Sequence, residues 1–243
     1  AKSVLGDNAG AIADFSSVIL INPQNADAYF NRGTVKVILG DKAGAIVDYS
    51  RAIQINPQYA NAYSNRGVAK SDLGDKAGAM ADFNQAIQIN PQHAEAYSNR
   101  GNAKSALGDK AGAMADLNQA IQINPQYADA YVNRGIAKSD MGDKAGAIAD
   151  YSSAIQIDPQ NAKAYYNRGN AKSALGDKAG AIADYSSAIQ INPQDAKAYY
   201  NRGLTRLALG DVAGARQDYS SVVAIAPKLV QDNPALGDGL AAR

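Results

Sequence analysis

Few side chains in this 243-residue sequence could act as a catalytic base or nucleophile near neutral pH. The sequence contains one histidine, His93, and no cysteine. A triad-type enzyme holds a base, a nucleophile and an oxyanion donor together, and His93 is the only histidine available to such a constellation. His93 follows Pro91 at a place held elsewhere by Tyr59 and Tyr127, so we expect a solvated loop side chain. The sequence predicts a protein that is not an enzyme.

The glycines and aspartates that could hold a phosphate or a metal recur in a pattern typical of helix ends. A Gly-Asp pair recurs identically along the chain, which is how a helix cap behaves. Gly-x-Gly patterns such as Gly6 to Gly10 follow predicted helices and not strands, so they do not indicate a nucleotide loop. Without cysteine, disulfides and thiolate metal sites are excluded. We therefore expect no metal and no cofactor.

The charge balance favours neither nucleic acid nor membrane as a partner. The 24 Lys and Arg residues nearly cancel the 23 Asp and Glu residues, so no global field attracts polyanions. No apolar run approaches the length of a membrane span, and we expect no membrane insertion. The first residues match the repeat described below from its tenth position onward, so a targeting segment could have been cut away. The compartment is thus unknown, with the cytoplasm as the default expectation.

These side chains are carried by a repeat of 34 residues. The triplet Asn-Arg-Gly recurs on that interval, beginning at Asn31, Asn65, Asn99, Asn133, Asn167 and Asn201. A fixed period of this size indicates stacked supersecondary units. We predict one array over residues 1–229 and an irregular tail over 230–243. The array comprises a partial unit, 1–25, and full units 26–59, 60–93, 94–127, 128–161, 162–195 and 196–229.

Each unit is predicted to form two helices, here called helix A and helix B. In unit 60–93, helix A covers about Asn61 to Leu73 and ends at Gly74, which suits a left-handed C-terminal position. Asp75 caps helix B, which runs to about Ile89 and carries apolar residues at spacings of three and four. The short connection makes the helices antiparallel, and only the next unit can cover the remaining apolar side. The predicted fold class is an all-α solenoid.

Numbered from the first residue of each unit, the residues that recur at fixed positions resemble the tetratricopeptide repeat, a helix-turn-helix unit of this length. In unit 60–93 the family's characteristic residues are Tyr63, Gly67, Ala79, Phe83, Ala86 and Pro91. Two columns depart from the pattern, because position 7 is Arg in every full unit and position 11 is Lys or Arg. The units look like the Asn-Arg-Gly arrays frequent in bacteria. The resemblance implies a right-handed superhelix with a concave groove, lined by the A helices, that binds peptides.

The arginine at position 7 requires a partner, because an arginine in place of a packing leucine would otherwise bury an uncompensated charge. Position 23 is Asp in every unit and can supply it. We predict a structural ladder of ion pairs, with Arg100 and Asp116 as the representative pair. Asp82 of the preceding unit is the alternative partner for Arg100.

The residues that differ between units lie on one stripe of helix A, at positions 2, 5, 9, 12 and 13. A stripe that varies while its neighbours stay constant is predicted to be the free face. By the resemblance it is also the groove face, joined by the constant Asn at position 6. Neutral drift of a solvated face is the alternative explanation. We assign these residues to a peptide-binding groove: Asn99, Asn102, Asn133, Lys163, Tyr166, Asn167, Asn170, Lys197, Tyr200, Asn201 and Leu204.

The charge of the groove residues changes sign along the chain, from acidic in the middle units to basic in the fifth and sixth. Relatives that bind chaperones grip a C-terminal carboxylate with five residues, of which Asn102, Asn133 and Lys163 match three. Ser98 and Asn167 stand where the other two would be basic. What remains is a cationic and aromatic patch, so the sequence predicts an acidic peptide or a free C-terminus as ligand.

Three readings of the function remain open. The first is a non-enzymatic scaffold that binds a partner peptide in the groove. The second is a structural array that associates end to end into weak homo-oligomers through open ends, near Val18 and Ile19. The third is a regulatory segment of a larger protein.

Overall fold

A computed structural model of the protein describes residues 7–227. The first six residues of the predicted partial unit and the tail predicted over 230–243 lie outside the described residues. The chain divides into two compact units, Ala1–Pro125 and Gln126–Arg243, which are described separately.

The described residues of the first compact unit form seven helices. They are α1 (Asn8–Ile21), α2 (Ala26–Ile38), α3 (Lys42–Ile55), α4 (Ala60–Asp72), α5 (Lys76–Ile89), α6 (Ala94–Ala106) and α7 (Lys110–Ile123). The second compact unit contains six more in its described part. They are α8 (Ala128–Asp140), α9 (Lys144–Ile157), α10 (Ala162–Ala174), α11 (Lys178–Ile191), α12 (Ala196–Leu207) and α13 (Val212–Ile225). The predicted all-α fold of helix pairs is confirmed.

Each even-numbered helix is a helix A, and it packs against the helix B that follows it in the chain. In the first compact unit α2 packs on α3, α4 on α5 and α6 on α7. Each helix B also packs on the next helix A, as α3 does on α4, and successive A helices such as α2 and α4 touch. The second compact unit repeats these contacts from α8 to α13. The chain folds by stacking because every pair has two apolar sides to cover.

The turn between helix A and helix B has the predicted local chemistry. Gly74 has φ of +89°, the left-handed conformation in which a side chain is strained. Asp75 then caps α5, since its carboxylate accepts a hydrogen bond from the Gly78 amide at 2.8 Å. Aspartate caps in the same way at Asp7, Asp41, Asp109, Asp143, Asp177 and Asp211.

A glycine recurs in the first turn of every helix B. Gly112 is the third residue of α7, and a Cβ atom there would lie 2.1 Å from Oδ2 of the capping Asp109. A methyl group would therefore push the cap away from the amides that it covers. This contact explains a glycine where helix propensity alone favours alanine.

The glycine of Asn-Arg-Gly permits close approach of helix A to helix B. A Cβ on Gly67 would lie 2.7 Å from the Phe83 ring, and one on Gly101 would lie 2.9 Å from Cγ of Leu117. Helix A therefore rests directly on the large side chain at position 24, which is buried. Alanines at positions 3, 20 and 27 complete this thin core.

The predicted ladder of ion pairs is confirmed, and its partners lie in the same repeat. Arg100 donates from Nε and an Nη atom to both oxygens of Asp116, at 2.8 and 2.7 Å. Lys104 adds a second cation at 2.8 Å. The equivalent pairs are Arg32–Asp48, Arg66–Asp82, Arg134–Asp150, Arg168–Asp184 and Arg202–Asp218.

The arginine also ties its repeat to the preceding one. Arg66 donates to Ser50 on α3 at 3.0 Å, and Arg100 donates to Asn84 on α5 at 2.8 Å. The guanidinium group lies over the tyrosine one turn earlier, as Arg100 does over Tyr97 at 5.4 Å. An arginine therefore replaces the packing leucine because it satisfies a carboxylate, a neighbouring helix and an aromatic face together.

Candidate functional site

The cationic and aromatic patch predicted for the groove lies on α10 and α12, which touch each other within the second compact unit. Lys163, Tyr166, Asn167 and Asn170 follow one another on α10 at spacings of three and four residues. The equivalent residues of α12 are Lys197, Tyr200, Asn201 and Leu204. Spacings of this kind place each set on one stripe of its helix.

The two lysines at the N-terminal ends of these helices are free to bind an anion. Lys163 and Lys197 are both exposed. Neither forms a salt bridge with any residue between 7 and 227. Asp129 is an exposed carboxylate at the equivalent position of α8, which touches α10. On α10 and α12 themselves this position is a lysine, so the two ammonium groups raise the positive potential between those helices.

The two tyrosines are less available than the sequence predicts. Tyr166 is half-buried, and its ring lies 6.1 Å from that of Tyr185 on α11. Tyr200 packs in the same way against Tyr219 on α13, at 6.1 Å. Each tyrosine therefore belongs partly to the core of its own repeat and offers a ligand only an edge or part of a face.

The amide groups beside the tyrosines are partly used within the protein. Asn201 donates both protons of its amide group, to the Tyr166 hydroxyl at 3.0 Å and to Oδ1 of Asn170 at 2.9 Å. The Tyr185 hydroxyl donates to the same Asn170 oxygen at 2.9 Å. Asn201 is thus left with an acceptor oxygen, while Asn170 keeps its amide protons.

A cleft opens beside this network, toward the C-terminal ends of the two helices. It has a volume of about 310 Å³. Its walls are Asn170, Ser173, Ala174, Tyr185, Asn201, Leu204 and Thr205. Leu204 is 43% exposed and supplies the apolar wall. Burial raises the pKa of the Tyr185 phenol, so the floor of the cleft stays neutral at ordinary pH values and the hydroxyl keeps its hydrogen bond to Asn170.

The remaining residues assigned to the groove lie elsewhere. Asn99 and Asn102 belong to the first compact unit, where they line a cleft with Val68 and Phe83. Asn133 lies on α8 in the second compact unit and is only 9% exposed, so little of its side chain can reach a ligand. Asn167 is half-buried beside Tyr166.

One column of the variable stripe is not part of a free face, contrary to our prediction. Position 5 is held by Ser64, Ser98 and Val132, whose exposures are 1%, 0% and 0%. In the first repeat this position is Phe30, whose ring lies 4.9 Å from that of Tyr59. In that repeat, position 5 packs against the last residue of the following connection. Position 2, by contrast, is exposed in every repeat.

The prediction of a solvated loop side chain for His93 is wrong. His93 is 7% exposed, and its Nε2 atom has no hydrogen-bond partner. Burial lowers the pKa of the imidazole, although the Glu95 carboxylate acts in the opposite direction. The equivalent Tyr59 shows the reason, because its ring packs on Phe30 and its hydroxyl donates to Asp27, both on helix A of its own repeat. The last residue of the connection therefore packs back on the preceding helix A.

Sequence reasoning missed the part of the site that comes from helix B. Tyr185 forms the floor of the cleft and orients Asn170. Position 24 is Tyr in some repeats and Phe or Leu in others, so only some repeats have a buried hydroxyl group there. That difference was the signal from which the contribution of helix B could have been predicted. Thr34, Tyr49 and Asn65 form the equivalent network in the first compact unit, where burial raises the Tyr49 pKa.

The rest of the described chain gives little indication of other chemistry. Within residues 7–227, no group of three or more His, Asp or Glu side chains could hold a metal ion. The helices in that range are too short and too polar to cross a membrane.

Comparison with protein families identifies the repeats. A family described as TPR repeat matches residues 35–74, 71–108, 106–142, 140–176 and 173–210. A family described as tetratricopeptide repeat matches residues 196–229. No curated protein matches the chain.

Solved structures show the same fold. A tetratricopeptide repeat protein from Parabacteroides merdae superposes with a TM-score of 0.71 at 21% identity, covering 99% of this chain and 93% of that one. The structure of MamA superposes with a TM-score of 0.55 at 29% identity, covering 68% of this chain and 96% of that one. A chain of the APC/C hetero-tetramer Cut9–Hcn1 superposes with a TM-score of 0.85 at 16% identity. The match includes 98% of this chain but only 46% of that one, so this chain spans less than half of its length. With family matches over most of its length, the chain belongs to the tetratricopeptide repeat family.

Proposed function

We propose that this chain is a non-enzymatic scaffold that binds an acidic segment, or a free C-terminal carboxylate, of a partner protein along α10 and α12. Proteins of this family are generally interaction scaffolds without catalytic activity. The observation that carries the proposal is the pair of exposed, unpaired ammonium groups of Lys163 and Lys197 above a cleft with a neutral floor.

The spacing between the lysines and the cleft defines the ligand. Lys163 and Asn170 are separated by seven residues, which is about 10 Å along a helix at 1.5 Å per residue. An extended peptide covers that distance with about three residues at 3.3 Å each. The ligand should therefore carry its carboxylate about three residues from an apolar side chain, which enters the cleft beside Leu204.

The polar groups between these two points suit a peptide backbone. Asn201 presents a carbonyl oxygen and Asn170 presents amide protons, because their other atoms are already bonded. One acceptor and one donor can pair with the N–H and C=O groups of an extended chain. The exposed lysines contribute mainly attraction and orientation, because charges at a surface interact weakly and are screened within about 10 Å at 0.1 M salt. We expect micromolar affinity that weakens as salt is added.

A charge reversal at the two lysines tests the proposal. Binding of labelled acidic and basic peptides is measured by fluorescence anisotropy for the wild type and for Lys163→Glu/Lys197→Glu. A matched control, Lys76→Glu/Lys110→Glu, makes the same change in net charge at the N-terminal ends of α5 and α7 in the first compact unit, where acidic residues are favourable. The acidic peptide should lose affinity only in the first variant. Unchanged binding of the acidic peptide by that variant would show that the site is wrongly assigned.

End-to-end self-association is the second candidate, and exposed apolar residues of α1 favour it. Leu20 and Ile21 are 83% and 85% exposed, whereas the equivalents of Ile21 in later repeats are half-buried. Val18 is also exposed, at 39%. Sedimentation velocity at tens of micromolar, compared with Leu20→Lys/Ile21→Lys, decides between them. A monomer at all concentrations would leave the scaffold as the function.

A further inference from the structure

We propose that a second cleft, between α2 and α4 in the first compact unit, binds one large aliphatic side chain of a partner segment that carries basic residues beside it. This cleft is separate from the site on α10 and α12, and it has the opposite charge preference. The two sites can therefore be tested independently.

The walls of the cleft are apolar. Val37 and Ile38 of α2 face Val68 and Ala69 of α4, and Ile38 is 60% exposed at the lip. The remaining lining residues are Thr34, Tyr49, Asn65 and Asp72. The volume is about 190 Å³, below the roughly 300 Å³ at which pockets begin to enclose small molecules or cofactors. A cleft of this size suits one side chain.

The two hydroxyl groups at the floor of the cleft are already hydrogen-bonded. The Tyr49 hydroxyl lies 3.3 Å from Oγ1 of Thr34, and Asn65 also hydrogen-bonds it. The Thr34 hydroxyl also donates to the Phe30 carbonyl at 3.1 Å. An apolar side chain can therefore cover these hydroxyl groups without leaving them unpaired.

The apolar pair distinguishes the first full repeat from the four that follow it, although the sixth has Leu207-Ala208 at the same positions. Positions 12 and 13 of helix A are Val37 and Ile38 here, but they are Ser-Ala or Ser-Asp in the four repeats that follow. The corresponding pairs are Ser71-Asp72, Ser105-Ala106, Ser139-Asp140 and Ser173-Ala174. An exposed isoleucine and leucine, Ile38 and Leu39, at the end of α2 increase the solvent-exposed apolar surface, which binding would cover.

The charges around the cleft indicate the sign of the partner. On this face of α2, α4 and α6 the charged residues are Asp27, Asp72 and Glu95, all exposed, and none is a lysine or an arginine. Asp72 lines the cleft, and Lys42 of α3 occupies one of its oxygens at 2.7 Å. The other oxygen remains available to a cation next to the bound aliphatic side chain.

Methyl NMR spectroscopy of the full chain with short capped peptides tests this inference. The probe is acetyl-Gly-Ser-Leu-Lys-Lys-Gly-amide, and the controls replace Leu by Ala or both Lys by Glu. We expect the first peptide to shift the methyl signals of Val37, Ile38 and Val68. The Ala peptide should bind at least about tenfold more weakly, because it lacks about three buried carbon groups. The Glu peptide should bind a few-fold more weakly.

The chain itself supplies the matched variant. Val37→Ser/Ile38→Ala places the Ser-Ala pair of two other repeats in the first one, so it should fold and should lose about tenfold in affinity for the Leu peptide. Lys163→Glu/Lys197→Glu should leave this binding unchanged, which separates the outcome from that of the α10–α12 site. Equal binding of the Leu and Ala peptides, or full affinity in the Ser-Ala variant, would overturn the inference. If the peptide-free chain self-associates and the Ser-Ala variant does not, the cleft binds a second copy of this chain. That result would overturn the inference of a basic partner segment.

Discussion

Replacing Asp116 by alanine should destabilise the repeat that contains it more than any other single loss of a charged side chain in that repeat. The carboxylate receives two hydrogen bonds from Arg100, at 2.8 and 2.7 Å, and one contact from Lys104 at 2.8 Å. The Asp116 side chain is 6% exposed, whereas those of Arg100 and Lys104 are 18% and 22% exposed. Asp116→Ala therefore leaves two cations facing each other without the group that neutralises them.

The magnitude follows from that burial. Removing one partner of a buried ion pair lowers the free energy of unfolding by about 3–5 kcal/mol. Both cations keep some contact with water, so we expect the lower end, about 3 kcal/mol. Lys104→Met leaves the two Arg100 hydrogen bonds intact and should lower it by less than about 1 kcal/mol. In Arg100→Leu/Asp116→Ala the leucine restores packing, and part of the loss should be recovered.

Urea denaturation and hydrogen exchange of the α6 and α7 amides measure these effects. The hydrogen bonds from Arg100 and Lys104 outweigh burial and hold the pKa of Asp116 below its usual range. A carboxyl group whose pKa is lower in the folded chain stabilises the fold at every pH above its pKa in the unfolded chain. The difference in the free energy of unfolding between wild type and Asp116→Ala should therefore be fully present at neutral pH. It should shrink below about pH 4, as the carboxylate becomes protonated. A loss below about 1 kcal/mol at pH 7, with no coupling in the Arg100–Asp116 double-mutant cycle, would refute the ladder as a stabilising feature.

Three further predictions concern single residues. Burial lowers the pKa of His93, so as the pH falls the unfolded chain binds a proton before the folded chain does, and the free energy of unfolding should fall below about pH 6.5. His93→Tyr should remove that part of the pH dependence. Thermal unfolding of the variant and the wild type at pH 7.5 and 5.0 measures it. Gly112→Ala should fail to give the roughly 1 kcal/mol of stabilisation that helix propensity predicts, because its methyl group displaces the Asp109 cap; urea denaturation measures it. Gly101→Ala should lower the free energy of unfolding by about 1–3 kcal/mol through its clash with Leu117, and Leu117→Ala in the same chain should relieve the clash.

Each of these predictions has a contrary result. An unchanged pH dependence in His93→Tyr would mean that other groups cause the acid sensitivity. A gain of about 1 kcal/mol in Gly112→Ala would mean that the cap can move at no energetic expense. Additive losses in the Gly101 and Leu117 double variant would show that the two side chains do not compete for the same space.

Much of the fold followed from the spacing of residues along the chain. The 34-residue period, the Gly-Asp turns and the prolines predicted where helices begin and end, and α4 and α5 agree with those predictions within about one residue. These signals are local, since a left-handed glycine or a capping aspartate acts on its own turn. The Arg100–Asp116 pair was also predictable, because a buried guanidinium group must find a carboxylate.

The details of the candidate site did not follow from spacing. The stripe of helix A could be identified, but whether a position on it is exposed depends on what the neighbouring connection places over it. Position 5 is accordingly buried as Ser64, and the connecting residue His93 is buried although it looked like a surface loop residue. Likewise, the sequence contained Asn201 but not the hydrogen bonds that use both of its amide protons.

The sequence by itself determined the repeat, the order of the helices, the caps and the charge of each exposed position, because each depends on neighbours within about one turn of helix. Only the tertiary structure decided which variable positions reach solvent, which polar groups are already satisfied and where two helices leave a cleft. Those properties depend on the few ångströms between side chains of different repeats, such as Asn201 and Asn170. A periodic sequence specifies that such contacts exist, but the packing of the particular side chains sets their geometry.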